Sequence, residues 1–253
     1  MSWASRRRLY IGGGVCAVLV AALAIILIAT FYKAPTCVDS KQDGDETGVD
    51  CGGSCTTLCT VDENAPTVDF VRQLSPAPGR TDVIAYVTNS NPDAAAEAAP
   101  FTISLYGPDG ILVASKQGTT DLPPGTVVPV YVPDFFSGNQ QVARAFLSFD
   151  NGLRWLRYAD TRVIPKAGSY SVANEAVAPR ITATVSNPSP SPLYNVKVIA
   201  TAFGADGNAI GASQTVLPAI PANGESMATF TWNAPFAAPI ARVDILPVIP
   251  LSP

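Results

Sequence analysis

The chain has 253 residues with 16 basic and 20 acidic side chains, a formal charge of -4, and no His. The missing His excludes Ser-His and Cys-His nucleophiles, imidazole acid-base catalysis and His-bound zinc. Nucleic acid is excluded as a partner, because the region after residue 36 has no cluster of Lys and Arg to displace counterions. The length accommodates two domains, and 23 Pro and 19 Gly favour turns and strand edges over long helices.

The first predicted element is an uncharged apolar helix over residues 9–32. At about 1.5 Å per residue it spans the roughly 30 Å hydrocarbon core of a membrane. Arg6–Arg8 precede it and only Lys33 follows closely, so the positive-inside rule places residues 1–8 in the cytoplasm. A cleavable signal peptide is the alternative, but the aromatic pair Phe31-Tyr32 at the exit favours a retained helix. We predict a single-pass cell-membrane protein whose C-terminal region is extracytoplasmic.

Residues 33–64 form a short segment that is rich in cysteine. Apart from Cys16 in the apolar run, every cysteine lies here, and their number is even. An oxidising compartment favours disulfides, and the sequence leaves all three pairings open. Zinc is the rival, but the spacing lacks the usual C-x2-C pair. The predicted bridging residues are Cys37, Cys51, Cys55 and Cys59.

The same segment is acidic. Carboxylate oxygens on a Gly-punctuated turn are the hard ligands that calcium requires, although the order of residues is not that of an EF-hand loop. The alternative is a solvated acidic spacer that the disulfides hold compact. Calcium is the one candidate cofactor. Its candidate ligands are Asp39, Asp43, Asp45, Glu46 and Asp50.

Residues 37–55 read CVDSKQDGDETGVDCGGSC. This text resembles a short module of bacterial secreted and surface proteins with the pattern C-x-D-x-x-x-N/D-G-D-E-T-G-V-D-C-G-G-x-C. The resemblance implies an extracytoplasmic location and the role of a spacer.

From residue 65 onward, short apolar alternations are broken by Pro, Gly, Asn and Asp, which is typical of antiparallel sandwich strands. A set of landmarks occurs twice, about one hundred residues apart, near the usual size of an immunoglobulin-like sandwich. Each copy has a strand ending in Asn89 or Asn187, then an aromatic strand, and then an Asp-Gly hairpin turn. We predict an all-β fold of two tandem immunoglobulin-like sandwiches, residues 65–165 and 166–253, the second with a Pro-rich, frayed C-terminal tail.

The order of these landmarks resembles the FxLYD-type and related immunoglobulin-like domains of bacterial surface proteins. Gly107 stands where that motif has Asp, so the pattern of turns carries the resemblance. It implies a spacer, an adhesin or a docking surface.

A hairpin is predicted over residues 142–158, turning at residues 150–152. Arg, Trp and Tyr dominate binding hot spots, so this hairpin is a candidate binding patch. In the alternative interpretation, the aromatic residues fill the first sandwich and the Arg residues protect an edge strand. The candidate residues are Arg144, Arg154, Trp155, Arg157 and Tyr158.

No catalytic pattern accompanies these features, so we expect no enzymatic activity. The expected function is that of a membrane-anchored envelope or surface protein presenting two domains for binding, adhesion or architecture. An accessory subunit of an envelope assembly, such as secretion or pilus machinery, is the alternative. The expected partners are the membrane, through one helix, and a protein or surface ligand that the sequence does not identify.

Overall fold

A computed structural model describes residues 3–32 and 36–251. One long helix, α1 (Trp3–Phe31), precedes an all-β region that contains one short 3-10 helix (Thr60–Asp62). The strands are β1 (Thr57–Leu58), β2 (Thr67–Ala77), β3 (Arg80–Asn89), β4 (Ala94–Tyr106), β5 (Leu112–Leu122), β6 (Thr126–Ser137), β7 (Arg144–Phe149), β8 (Trp155–Arg157), β9 (Lys166–Ala173), β10 (Arg180–Ser186), β11 (Leu193–Phe203), β12 (Ala209–Ile220), β13 (Glu225–Thr231) and β14 (Arg242–Val248). The predicted class, all-β behind a single N-terminal helix, is confirmed.

Helix α1 contains the predicted apolar run as far as Phe31 and extends it backwards through Arg6–Arg8 to Trp3. Its 21 residues from Tyr10 to Thr30 are all exposed, and at about 1.5 Å each they span about 31 Å. The helix is therefore long and apolar enough to cross a membrane. A signal sequence near an N-terminus has the same character. Lys33, the predicted outer flank, lies outside the described residues.

The first sandwich consists of two sheets, one with the order β1-β8-β4-β5 in which β7 also pairs with β4, the other with the order β2-β3-β6. Its core is built from alternate residues of the facing strands, such as Val83 and Ala85 on β3 and Ile103 and Leu105 on β4. These alternations arise because successive side chains of a strand point to opposite faces. Trp155 is the largest fully buried side chain of this core.

The second sandwich has two three-stranded sheets, β13-β10-β9 and β12-β11-β14. Ile181 and Val185 on β10 face Val198 and Ala200 on β11 across its core. The strands of the first sandwich end at Arg157, and those of the second begin at Lys166.

The sequence repeat reappears in the hydrogen bonds of two buried asparagines. Asn89 donates through Nδ2 to the carbonyls of Ala94, Leu122 and Pro123, and Asn187 donates in the same way to those of Ser191, Ile220 and Pro221. In both copies Oδ1 accepts from the backbone N–H two residues on. Each Asn therefore joins three turn segments whose buried carbonyls need donors.

The two sandwiches pack face to face, so their sheets form a stack of four layers. On β3, Val83, Ala85 and Val87 point into the first core, whereas Ile84 and Tyr86 point towards the second sandwich. Strand β3 is consequently buried on both faces, like the central strands of sheets that are covered on both sides.

An apolar cluster fills the junction between the sandwiches. Phe70, Tyr86 and Phe203 form its aromatic centre, with ring centroids 4.7 to 6.2 Å apart and two edge-to-face contacts. Such geometry is favoured by the quadrupoles of aromatic rings. The other buried members are Leu74, Ile84, Ile199, Ala209 and Ala212. The sandwiches therefore share a third hydrophobic core.

The C-terminal tail was expected to fray, and within the described residues this expectation is wrong. Leu251 is 5% exposed, and its N–H donates to Asp121 Oδ2 at 2.8 Å. Tyr158 Oη donates to the Leu251 carbonyl at 3.1 Å, and Arg162 Nη1 donates to the Ile249 carbonyl at 2.6 Å. The tail is held in place because its N–H finds an acceptor on β5 and its carbonyls find donors in the segment that follows β8.

The predicted hairpin over residues 142–158 is also wrong. Strand β7 pairs with residues 101–106 of β4, whereas β8 pairs with residues 94–95 of the same strand and with β1. The two strands thus lie end to end along β4. The turn at residues 150–152 carries the chain from the middle of β4, where β7 ends, towards the N-terminal end of β4, where β8 pairs.

Candidate functional site

The cysteine segment contains two disulfides, Cys37–Cys55 and Cys51–Cys59. Bridging was predicted, and the structure resolves the pairing that the sequence left open. Cys55 and Cys59 are buried. The bridges therefore form the small core of a segment with few apolar side chains, as in other disulfide-dependent modules.

This segment is fastened to the first sandwich. Strand β1 pairs antiparallel with β8, and Arg157 Nη2 donates to the Gly53 carbonyl at 2.8 Å. Thr60 Oγ1 donates to the Leu153 carbonyl at 3.0 Å, and Leu58 packs against the first core. Its C-terminal half therefore adds an edge strand to the sandwich and extends beyond the role of a free spacer.

Several acidic side chains of the segment accept hydrogen bonds from other groups of the segment, whereas the buried Asp43 Oδ1 accepts none. Asp50 accepts from the N–H groups of Asp39 and Ser40, and Glu46 Oε2 lies 3.3 Å from those of Asp43 and Asp50. Asp45 accepts from the Ser54 hydroxyl at 2.8 Å. These carboxylates hold turns together in the way that Asx turns do.

The predicted calcium ligands do not converge on a single point. Among the described residues, one group of three potential ligand residues has its ligand atoms within 4.8 Å of one another, and it contains Glu46, Cys37 and Cys55. Its two sulfurs are joined in a disulfide and are not thiolate ligands. Calcium takes six to eight oxygens, and this arrangement does not fit a preformed calcium site.

The five residues of the candidate binding patch point to different places. Trp155 is buried in the first core, Arg157 holds the cysteine segment and Tyr158 holds the C-terminal tail. Arg144 and Arg154 are exposed, on β7 and in the loop before β8. The structure does not bring the five together as one surface.

A buried carboxylate, Asp82, lies beside the junction of the sandwiches. It accepts from Tyr131 Oη at 2.7 Å, from Arg80 Nε at 3.1 Å and from the Asp134 N–H at 2.9 Å. Arg80 also lies 2.7 Å from Asp134 Oδ1. Burial raises the pKa of Tyr131, and so does its hydrogen bond to Asp82. Every partner of Asp82 belongs to the first sandwich, so the network fixes the edge of that sheet.

Tyr86 occupies the junction itself. Burial raises the pKa of its phenol to about 12. Its hydroxyl lies 3.5 Å from Asp244 Oδ2 on the second sandwich. The ring therefore stays neutral at physiological pH and links the two sandwiches.

A cleft of about 320 Å³ lies under the C-terminal tail. Arg162 and Lys197 reach it, and Asp121 and several apolar side chains line it. Arg162 is engaged, because Nη2 lies 2.7 Å from Asp160 Oδ2, and this hydrogen bond lowers the pKa of Asp160. Arg162 therefore serves the ion pair with Asp160 and the contact with the tail. Among the described residues that line the cleft, no two side chains are arranged as a general acid and a general base.

One surface is not predicted from the sequence, namely the outward side of β4, β5 and β7, which we call the outer face of the first sandwich. It combines hydroxyl side chains with Tyr106 and Phe146, whose rings meet edge to face at 5.7 Å. Phe146 is 55% and Leu112 52% exposed. The alternation of side chains along β4 could have predicted this face, because Ile103 and Leu105 point inward and Tyr106 must then point outward.

No protein family matches the chain, and no curated protein sequence matches it either. Among solved structures, it is similar to red sea bream transglutaminase, with 14% identity and a TM-score of 0.22 over 73% of this chain and 29% of that one. It is also similar to the N-terminal CBM22-1-CBM22-2 tandem domain of Paenibacillus barcinonensis Xyn10C, with 9% identity and a TM-score of 0.15 over 87% and 92%. The chain spans less than a third of the transglutaminase. At these TM-scores the similarities carry no argument about function.

Proposed function

We propose that the chain is a non-enzymatic, single-pass protein of a bacterial cell envelope that presents two joined sandwiches for binding or architecture. One observation carries the proposal. The exposed apolar helix is followed closely by a disulfide-bridged segment, and that segment is fastened to the first sandwich. This continuity suits a tether that ends in a stiff head better than a leader that is removed.

The orientation of the tether rests on two independent features. Arg6–Arg8 precede the apolar run, which favours a cytoplasmic N-terminus. The disulfides lie beyond it, and disulfides persist in oxidising compartments. The resemblances to a bacterial surface-protein module and to FxLYD-type domains agree with the same side.

Expression of the full chain with tags at both ends in a bacterial host tests this proposal. We expect both tags to stay on one polypeptide that only detergent extracts from the membrane. External protease should remove the C-terminal tag from spheroplasts and spare the N-terminal tag. A soluble product that lacks the N-terminal tag would show a cleaved signal sequence and contradict the proposal.

The second candidate is an accessory subunit of an envelope assembly such as secretion or pilus machinery. The outer face of the first sandwich favours it, because Phe146 and Leu112 are both more than half exposed there and exposed apolar patches mark interaction sites. Crosslinking in cells followed by purification separates the candidates. A stoichiometric complex within the same membrane supports the subunit, whereas capture of an external ligand supports a surface receptor or adhesin.

Two expectations stay predictions, namely that the acidic segment is a spacer without bound calcium and that the protein has no catalytic activity. Calorimetric titration of calcium into the full chain tests the first, and the scattered carboxylates lead us to expect no heat above dilution. The absence of His from the sequence supports the second.

A further inference from the structure

The junction of the sandwiches is formed by two sheets that do not correspond to each other in the repeat. The first sandwich contributes β2, β3 and β6, whose counterparts in the second are β9, β10 and β13. The second contributes β11, β12 and β14, whose counterparts in the first are β4, β5 and β7. The contact is thus heterologous and leaves one unpartnered face on each sandwich. Each of these faces is the counterpart of a face that the other sandwich uses in the junction.

The outer face of the first sandwich retains the chemistry of its counterpart. Tyr106 corresponds to Phe203, because each precedes the Gly that opens the Asp-Gly hairpin. Arg144 lies opposite Tyr106 in the sheet, as Arg242 lies opposite Phe203. Arg242 stacks on the Phe203 ring, with Cζ 4.3 Å from the centroid.

One difference between the two faces predicts the charge of a partner. Asp244 lies opposite Thr201 on the docked face, and its carboxylate lies 3.3 Å from Arg242 Nε. On the outer face, Phe146 lies opposite Ser104 and takes the place of this acid. A partner that covers Arg144 therefore has to supply the carboxylate.

The outer face of the second sandwich has lost the corresponding chemistry. Counting back from Asn89 and Asn187, Ile84 corresponds to Thr182 and Tyr86 to Thr184. Ile84 and Tyr86 are buried in the junction, whereas both threonines are partly exposed. Apart from the exposed Met227 opposite Thr184, this face is polar, and a polar outer face ends a stack, as capping repeats do.

We infer that the outer face of the first sandwich is a docking site for a β-sandwich of another protein. The recognised strand carries a large aliphatic and an aromatic residue at alternate outward positions, as Ile84 and Tyr86 do, with an acidic residue nearby. A second copy of this chain does not offer that strand, because its own Ile84 and Tyr86 are buried and its free face has Thr182 and Thr184. The inference rests on the proposed binding or architectural function and names its partner class.

The test builds the missing partner face on the chain itself. A probe chain carries T182I and T184Y to create the docking strand, and its exposed Glu225, opposite Ser186 on the same face, serves as the acidic residue. It also carries Y106E to prevent the probe from binding copies of itself. The full-length probe in detergent micelles is passed over immobilised wild-type chain and over immobilised Y106E chain. We expect saturable binding to the wild type and at least tenfold weaker binding to Y106E. An immobilised F146E chain, altered elsewhere on the same face, should also bind at least tenfold more weakly.

Three results would overturn the inference. The first is that the folded probe does not bind the wild type, and the second is that it binds the wild type and Y106E equally. The third is a wild-type dimer that Y106E disrupts, because such a dimer assigns the face to a second copy. Circular dichroism establishes that each chain is folded, and a T184Y/Y106E probe replaces the first probe if that one unfolds. The assay uses purified chains and does not depend on membrane topology, so the topology experiment and this one fail independently.

Discussion

Replacing Ile84 by Ala tests whether the sandwiches are stacked or merely linked. Ile84 is 0% exposed and packs in the apolar cluster between the sandwiches. The substitution removes three carbons, worth about 0.8 kcal/mol each in transfer free energy, or about 2.4 kcal/mol. The residual cavity raises the expected loss of unfolding free energy to about 3 kcal/mol. This loss corresponds to more than a hundredfold change in the folding equilibrium.

The repeat supplies a matched control. Thr182 occupies the corresponding position of β10 and is partly exposed, so T182A should cost less than about 1 kcal/mol. Urea denaturation of the full chain in a mild detergent, followed by tryptophan fluorescence, measures both losses. Trp155 lies in the first core and Trp232 in the second.

Comparison of the two variants gives the decisive result. If the sandwiches were independent units on a string, Ile84 would be an exposed residue and I84A would cost no more than T182A. Equal losses would therefore refute the face-to-face packing. A cost of about 3 kcal/mol with an unchanged dependence on urea supports it.

Three further predictions concern hydrogen bonding, pH and redox state. Asn89→Asp removes the two Nδ2–H donors that serve three buried carbonyls and should cost at least about 2 kcal/mol in the same urea assay. Asn187→Asp should cost about as much, and a loss below about 1 kcal/mol at either site would contradict the shared role. Because burial raises the pKa of Tyr86 to about 12, the folded state keeps the phenol neutral where the unfolded chain, with a pKa of about 10, ionises it. Its stabilisation is complete below about pH 10 and is lost as pH rises towards 12, so Y86F should flatten the fall in stability over this interval; an unchanged slope would contradict the assignment. Reduction of Cys37–Cys55 and Cys51–Cys59 should cost the cysteine segment about 3 kcal/mol per bridge and expose the amides of β1 to hydrogen exchange, while β10 stays protected as the internal control.

The sequence determined the elements of this protein that depend on local patterns. The uncharged run from residue 9 to residue 32 required a helix of membrane length. The repeated Asn and Asp-Gly landmarks required two copies of one β-sandwich. The four clustered cysteines indicated disulfides, but spacing alone does not choose among three pairings. The fold of the segment makes that choice, because it brings the Cα atoms of Cys37 and Cys55 to 5.7 Å and those of Cys51 and Cys59 to 5.1 Å.

Tertiary structure decided how these parts meet. Strands β7 and β8 are neighbours in the sequence, but both pair with β4, because its length of 13 residues accommodates them end to end. In the sequence, the packing of one sandwich on the other appears only as large apolar residues at both the odd and the even positions of β3. In a sequence, Ile84 and Tyr86 look like additional core residues, since alternation identifies two faces without saying what covers either one. The outer face of the first sandwich could not be predicted for the same reason. The sequence gives the types of its side chains, but their exposure depends on which sheet faces the tertiary structure leaves uncovered.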